Sequence, residues 1–206
     1  MSEGPVGTSA DIEPFVNEAR ALLDGVQDAT TFKKHWIRLI GQATRVPGET
    51  WIFISEIFYA VEEHIAEPES RVRKGGLDDD ELRHAVSSQL PALEEEADRV
   101  RAVEEGRPRP ALLADTGSGA ELLRLIRDLL EGTVTPAQFA AEFREHLARS
   151  RTGFSPRVRA AAEAVGLAID RYRSDGTPLR MYDSDEVVLR RRVADVEPRL
   201  AAAVEL

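Results

Sequence analysis

Apolar residues recur along this chain at spacings of three and four, the period of a helix with one buried face, rather than two. From Asp11 to about Leu23, Phe15, Ala19, Leu22 and Leu23 follow that period, and Gly25 supplies a stop. A second helix is expected from about Thr30 to Ala43, with Phe32, Trp36, Ile37 and Ile40 on one face. "VPGE" then breaks the chain. A third helix, about Glu49 to Ala66, holds "WIFISEIFYAV", apolar on every side, which suits the middle of a bundle. Pro68 to Gly76 reads as a loop. A fourth helix runs from near Asp78 to about Glu104, and Pro91 inside it should kink or divide it.

The pattern then repeats. Leu22-Leu23-Asp24-Gly25 returns as Leu129-Leu130-Glu131-Gly132, an offset of 107. In that register Phe32 falls on Phe139, Trp36 on Phe143 and Ile40 on Leu147. Further on, Asp78 falls on Asp185, Leu82 on Leu189, Arg83 on Arg190, Val86 on Val193, Pro91 on Pro198 and Leu93 on Leu200. One ungapped register from Leu22 to Leu93 argues for two copies of one helical module. The second copy has clear helix starts at Thr135-Pro136 and Ser155-Pro156, a capping hydroxyl before a proline. Its segment "RAAAEAVGLAI", matching the third helix, favours helix over strand. The join, "EGRPRPALLADTGSG" at residues 105 to 119, is rich in helix breakers. The expected fold is all-α: two tandem antiparallel four-helix bundles, residues 1–106 and 107–206.

Composition narrows the function. There is no cysteine, so no disulfide framework or thiolate chemistry. No apolar run reaches the roughly 18 residues of a membrane span. "MSEGPVGTSAD" lacks the basic-then-apolar pattern of a signal peptide, so a cytoplasmic location is expected. A net charge of −10 is unsuited to nucleic acid, whose phosphates need Lys and Arg clusters. Enzyme signals are thin. His35, His64, His84 and His146 form no HExxH motif and no Glu-x-x-His pair, and read as surface or rim residues. Asp115-Thr116-Gly117-Ser118-Gly119 lacks the lysine of a phosphate loop, and no serine sits in a nucleophile elbow. The chain reads as a non-enzyme without metal or cofactor.

Charge is distributed unevenly between the copies. Residues 1–106 hold 22 acids against 11 Lys and Arg, a balance of −11; residues 107–206 hold 15 against 16, a balance of +1. Either the two surfaces serve different partners or solvated faces have drifted. Within the first copy the acids gather at one place. Glu62, Glu63, Glu67 and Glu69 run from the end of the third helix into the loop, and Asp78, Asp79, Asp80 and Glu81 open the fourth. In a helical hairpin these groups share one end. Acids at a helix start meet orphan N–H groups and the positive dipole end, about 0.3–1 kcal/mol each when exposed. Four in succession exceed that need, and acids at a helix C-terminus oppose the dipole. The surplus marks a surface for a basic protein partner.

"YAVEEHIAEPESRVRKGGLDDDELRHAV", Tyr59 to Val86, with "ALLDG" and "FKKHWIRL" upstream, resembles the colicin D-type bacteriocin immunity proteins. The resemblance covers most of the chain, once per copy. It implies a small acidic helical domain that binds the basic catalytic domain of a tRNA-cleaving toxin and covers its active site, carboxylates standing in for phosphates. Asp78, Asp79, Asp80 and Glu81, with Glu67 and Glu69, would then meet the toxin's Lys and Arg. The second copy departs from this pattern, since Arg190-Arg191-Arg192 follow its Asp183, Asp185 and Glu186. The alternative is a non-enzymatic helical adaptor for another protein. The oligomeric state and the placing of one copy on the other are not legible.

Overall fold

The computed structural model describes residues 7–43, 45–111, 118–150, 153–173, 181 and 183–204. Among them are nine helices and no strand, so the fold is all-α. The chain divides into two compact units, Met1–Arg71 with Leu77–Leu112 and Val72–Gly76 with Leu113–Leu206, so the main division falls inside the Pro- and Gly-rich join. Residues 112–117 of that join, and 174–180 with Tyr182 of the second copy's acidic loop, lie outside the described residues.

Unit 1 holds α1 (Ser9–Leu23), α2 (Ala29–Gln42), α3 (Gly48–Glu63) and α5 (Asp79–Glu104); the short α4 (Pro68–Lys74), between the last two in the chain, belongs to unit 1 as far as Arg71 and to unit 2 from Val72. α1 begins two residues earlier than its apolar pattern, because Thr8 and Asp11 close its first turn. The Thr8 N–H and hydroxyl both donate to Asp11 Oδ2, at 2.8 and 2.7 Å. These bonds hold the Asp11 carboxyl below its ordinary pKa. α2 is capped by Asp28, which accepts the Thr31 N–H at 2.8 Å. α5 packs on α1 and α3, and α2 packs on α1 and α3. Phe15 meets Trp36 edge-on and Phe32 meets it at a tilt, with ring centroids 5.2 Å apart in both pairs.

Three expectations change in unit 1. The segment Pro68 to Gly76 is not all loop, since α4 occupies most of it. Proline at the first helical position and Glu69 in the first turn favour that start, and Arg71, Arg73 and Lys74 suit its C-terminal end. Pro91 does not divide the fourth helix: α5 runs unbroken from Asp79 to Glu104. Burial of Leu90, Ala92 and Leu93 on its flanks offsets the missing N–H. α3 is not buried all round, because Trp51 and Tyr59 remain on an exposed side.

Unit 2 holds α6 (Ser118–Glu131), α7 (Pro136–Ser150), α8 (Pro156–Arg171) and α9 (Glu186–Val204). α9 packs on α6 and α8, and α7 on the same two, the pattern of unit 1. The expected starts at Thr135 and Ser155 are present: their hydroxyls accept the Gln138 and Val158 N–H groups, each at 3.3 Å. Gly25 and Gly132, 107 residues apart, end α1 and α6 at φ of +72° and +78°, a conformation that favours glycine.

The register between the copies is not ungapped. The buried residues of α3 are Thr50, Phe53, Ile54, Ile57, Ala60, Val61 and Glu63. Advanced by 108, each lands on a buried residue of α8: Val158, Ala161, Ala162, Val165, Ala168, Ile169 and Arg171. Helices α1, α2 and α5 keep 107, as Leu22, Phe32, Trp36, Leu82, Val86 and Leu93 show with their buried partners. One extra residue therefore enters between Leu147 and Val158 and is recovered before Ser184. Side-chain size also trades between helices. Ala19 and Ile54 of unit 1 become Ile126 and Ala162 in unit 2, all fully buried, which conserves core volume.

Candidate acidic docking surface

The acids of unit 1 are gathered by a short backbone joint. The Ile65 N–H donates to the Leu77 carbonyl, and the Leu77 N–H to the Glu63 carbonyl, both at 2.9 Å. This pins the end of α3 to the start of α5 and leaves residues 66–76 as a closed excursion. Leu77 is buried beneath the joint. His64 Nε2 lies 2.8 Å from Asp79 Oδ1, and Lys33 Nζ donates to the His64 carbonyl at 2.9 Å. His64 is thus an interior strut of the joint, 4% exposed, and not the surface residue its polarity suggests. Lys33 also reaches the Glu62 carbonyl at 3.4 Å. Burial pushes its ammonium pKa down, against the pull of the Glu62 charge.

Each of the eight expected acids has a distinct place. Asp78 is the N-cap of α5: its Oδ1 accepts the N–H groups of Asp80 and Glu81, at 3.0 and 2.9 Å. Glu81 reaches back, its Oε2 accepting the Asp78 N–H at 2.8 Å. Together they form a capping box. Asp79 is tied to His64. Asp80 caps nothing: its side chain is 97% exposed and pairs with the Arg83 guanidinium at 3.7 Å. Three of the four consecutive acids therefore hold backbone N–H groups or a buried side chain, more than capping by one or two acids would need. Glu62, Glu67 and Glu69 are exposed, and the Ser70 hydroxyl donates to Glu67 Oε2 at 3.1 Å. Glu63 is buried, 7% exposed, because it is the last residue of α3 and the helix turns it under the joint. It does not belong to a surface.

What remains is a ridge of solvent-facing carboxylates from Glu62, Glu67, Glu69, Asp79, Asp80 and Glu81 at one joint. Capping does not remove their negative charge from the surface. The excursion also carries Arg71, Arg73 and Lys74, so the acidity is concentrated at the two helix ends rather than spread along α4. Such a ridge offers acceptors for charge-assisted hydrogen bonds and a field that attracts cations. Sequence reasoning missed a second buried carboxylate. Glu96 of α5 is 1% exposed and meets Arg109 at 2.8 Å and Arg99 at 3.5 Å. Arg109 lies beyond α5, so the first part of the join folds back onto unit 1. The signal was faint: one acid in a run of three, followed by two Arg-Pro steps.

Compared with known proteins, the chain matches no family model, no curated protein and no solved structure. Among the described residues, no helix is long and apolar enough to cross a membrane.

Proposed function

We propose that this protein is an immunity protein of the bacteriocin type: an antitoxin that binds the basic catalytic domain of a tRNA-cleaving nuclease and occludes it. The observation that carries this reading is the joint between α3 and α5, which holds several exposed carboxylates on backbone pinned by two 2.9 Å hydrogen bonds. Carboxylates held on rigid elements can meet Lys and Arg arranged for phosphates without ordering themselves first. Occlusion needs no chemistry from the inhibitor, so the reading requires neither a catalytic group nor a cofactor. It takes each unit as one antiparallel four-helix bundle, residues 1–106 and 107–206, acting in the cytoplasm where such a toxin cuts.

The test is co-expression with nuclease domains of the tRNA-cleaving colicin D type, scored by survival. The native chain should protect. Glu67→Lys with Glu69→Lys and Asp80→Lys should not, while helix content stays unchanged. Reversing Asp78 and Glu81 would be a poorer test, since it also removes the α5 cap. Failure of the native chain against every such domain would overturn the proposal.

A second reading, a helical adaptor, is favoured by Trp51 and Tyr59. They lie two helical turns apart on α3, 39% and 40% exposed. It expects Trp51→Ala with Tyr59→Ala to abolish partner capture and the lysine changes to be silent.

A further inference from the structure

Unit 1 is acidic except along one helix. Residues 29–48, which hold α2 and the connection to α3, contain Lys33, Lys34, Arg38 and Arg45 and no Asp or Glu, in a unit with 22 acids. Lys33 turns inward to the carbonyls of Glu62 and His64. The other three are exposed. Lys34 and Arg38 each stand two residues from the buried Trp36, about 200° round the helix, so they point away from the core. Ile37, 45% exposed, and Gly41 follow at helical spacing on the same side. A stripe of Lys34, Ile37, Arg38 and Gly41 thus runs down the outer face of α2 and leads to Arg45.

Helix stability does not account for these cations. α2 has no basic residue in its last turn, where the dipole favours one. Lys34 and Arg38 are like charges four apart on one face, an arrangement that weakens a helix. Ion pairing does not account for them either. Arg20, Arg83, Arg99 and Arg101 each meet a carboxylate, whereas Lys34, Arg38 and Arg45 form no ion pair among the described residues. Lys34 and Arg45 act on Asp28 and Asp11 only through their fields, which help to lower those two pKa values.

The second copy shows that the fold does not require the arrangement. At the offset of 107, Lys34, Ile37 and Arg38 become Ala141, Arg144 and Glu145. Arg144 pairs with Asp170 at 2.8 Å, and Glu145 with Arg149 at 3.6 Å. The outer face of α7 therefore neutralises its own charge within unit 2, and that of α2 does not.

We infer that the outer face of α2 is a docking surface for a short acidic segment of another protein. Carboxylates four apart on a helix, or two apart on an extended chain, are separated by about 5–7 Å and match Lys34 and Arg38, one helical turn apart. Their ammonium and guanidinium groups form charge-assisted hydrogen bonds to such carboxylates, and Ile37 offers an apolar contact between them. Charge selects against larger polyanions. A nucleic-acid strand carries a phosphate about every 3.4 Å, so it would run past three cations onto a unit of net charge −11. A flat anionic membrane would face the exposed Asp24 and Asp28 at the start of α2, and needs more apolar surface than Ile37 to insert. A short segment ends where the cations end. The inference does not rest on the proposed function.

The test is titration of the full chain with a blocked deca-glutamate peptide at low salt, followed by amide chemical shifts. α4 is the internal control, since Arg71, Arg73 and Lys74 are as many cations but stand with Glu67 and Glu69. Shifts are expected along 33–45 and should exceed those along 70–74. Lys34→Gln with Arg38→Gln and Arg45→Gln should weaken binding about tenfold or more. Circular dichroism should stay unchanged, because glutamine suits a helix. Equal shifts at the two places, none at either, or binding that survives the substitutions would overturn the inference. Tighter binding of a single-stranded DNA decanucleotide or of phosphatidylglycerol vesicles than of the peptide would overturn it too, and would name a different class of partner.

Discussion

Replacing Asp78 with alanine separates the structural use of the acidic run from its use as a surface. Asp78 accepts two N–H groups of the first turn of α5, and its own N–H is held by Glu81. Loss of an N-cap costs about 0.5–2 kcal/mol. Because one side chain here satisfies two donors and orders a third bond, the upper half of that range is expected, about 1–2 kcal/mol. For a unit of this size each kcal/mol moves the melting temperature by about 4–8 °C. Asp80→Ala should change stability by no more than about 0.5 kcal/mol, since its side chain is 97% exposed and caps nothing. The assay is thermal unfolding of the full chain, followed by circular dichroism and calorimetry, so that a separate unit 1 transition is seen. At temperatures where both variants are folded, the order should reverse for partner binding, with Asp80→Ala the weaker binder. Equal destabilisation by the two substitutions, or none by Asp78→Ala, would refute the division of labour.

Other expectations follow from the same contacts. Arg109→Ala should destabilise unit 1 by about 1–2 kcal/mol, discounted from the buried-pair range because Arg109 is 44% exposed; a double-mutant cycle with Glu96→Gln should show coupling above about 0.5 kcal/mol, and additivity would refute the pairing. Gly132→Ala should cost about 1 kcal/mol because φ is +78°, whereas Gly41→Ala, inside α2 with open space at its Cβ, should gain about 0.5–1 kcal/mol in urea unfolding. The Tyr172 pKa is raised above 10.0, first by burial and then by Glu186, against Arg190. Above pH 10 the native state therefore keeps a proton that the unfolded chain releases, so this group's contribution is full below that pH and is lost as pH rises through the folded value. Phenolate absorbance should show a late-titrating component that Tyr172→Phe removes.

Much of this architecture was legible in the chain itself. Helical periodicity placed the long helices to within a few residues, because a buried stripe at a spacing of three and four leaves no other regular solution. Gly25 and Gly132, with Thr135 and Ser155, marked helix ends through local backbone and hydrogen-bond chemistry that needs no tertiary partner. The acidic ends of α3 and α5 were visible for the same reason, as charges at helix termini.

The destination of each carboxylate was decided by tertiary structure. Glu62 and Glu63 are neighbours in sequence, yet one faces solvent and the other lies under the joint. The turn per residue of a helix sets that difference, but only the partner element shows which side is inward. His64 could be recognised as an interior strut only once Leu77 had folded back beside it and brought Asp79 within 2.8 Å. The one-residue shift of α8 was hidden because an ungapped match at offset 107 is satisfied by the flanking helices alone. Burial at offset 108 reveals it, since a core tolerates an inserted residue in a connection but not a rotation of every inward side chain on a helix. Sequence thus determined the helices and their local caps, whose free energies come from nearby residues. Tertiary packing determined which charges stayed in water, because desolvation depends on what the rest of the chain brings alongside.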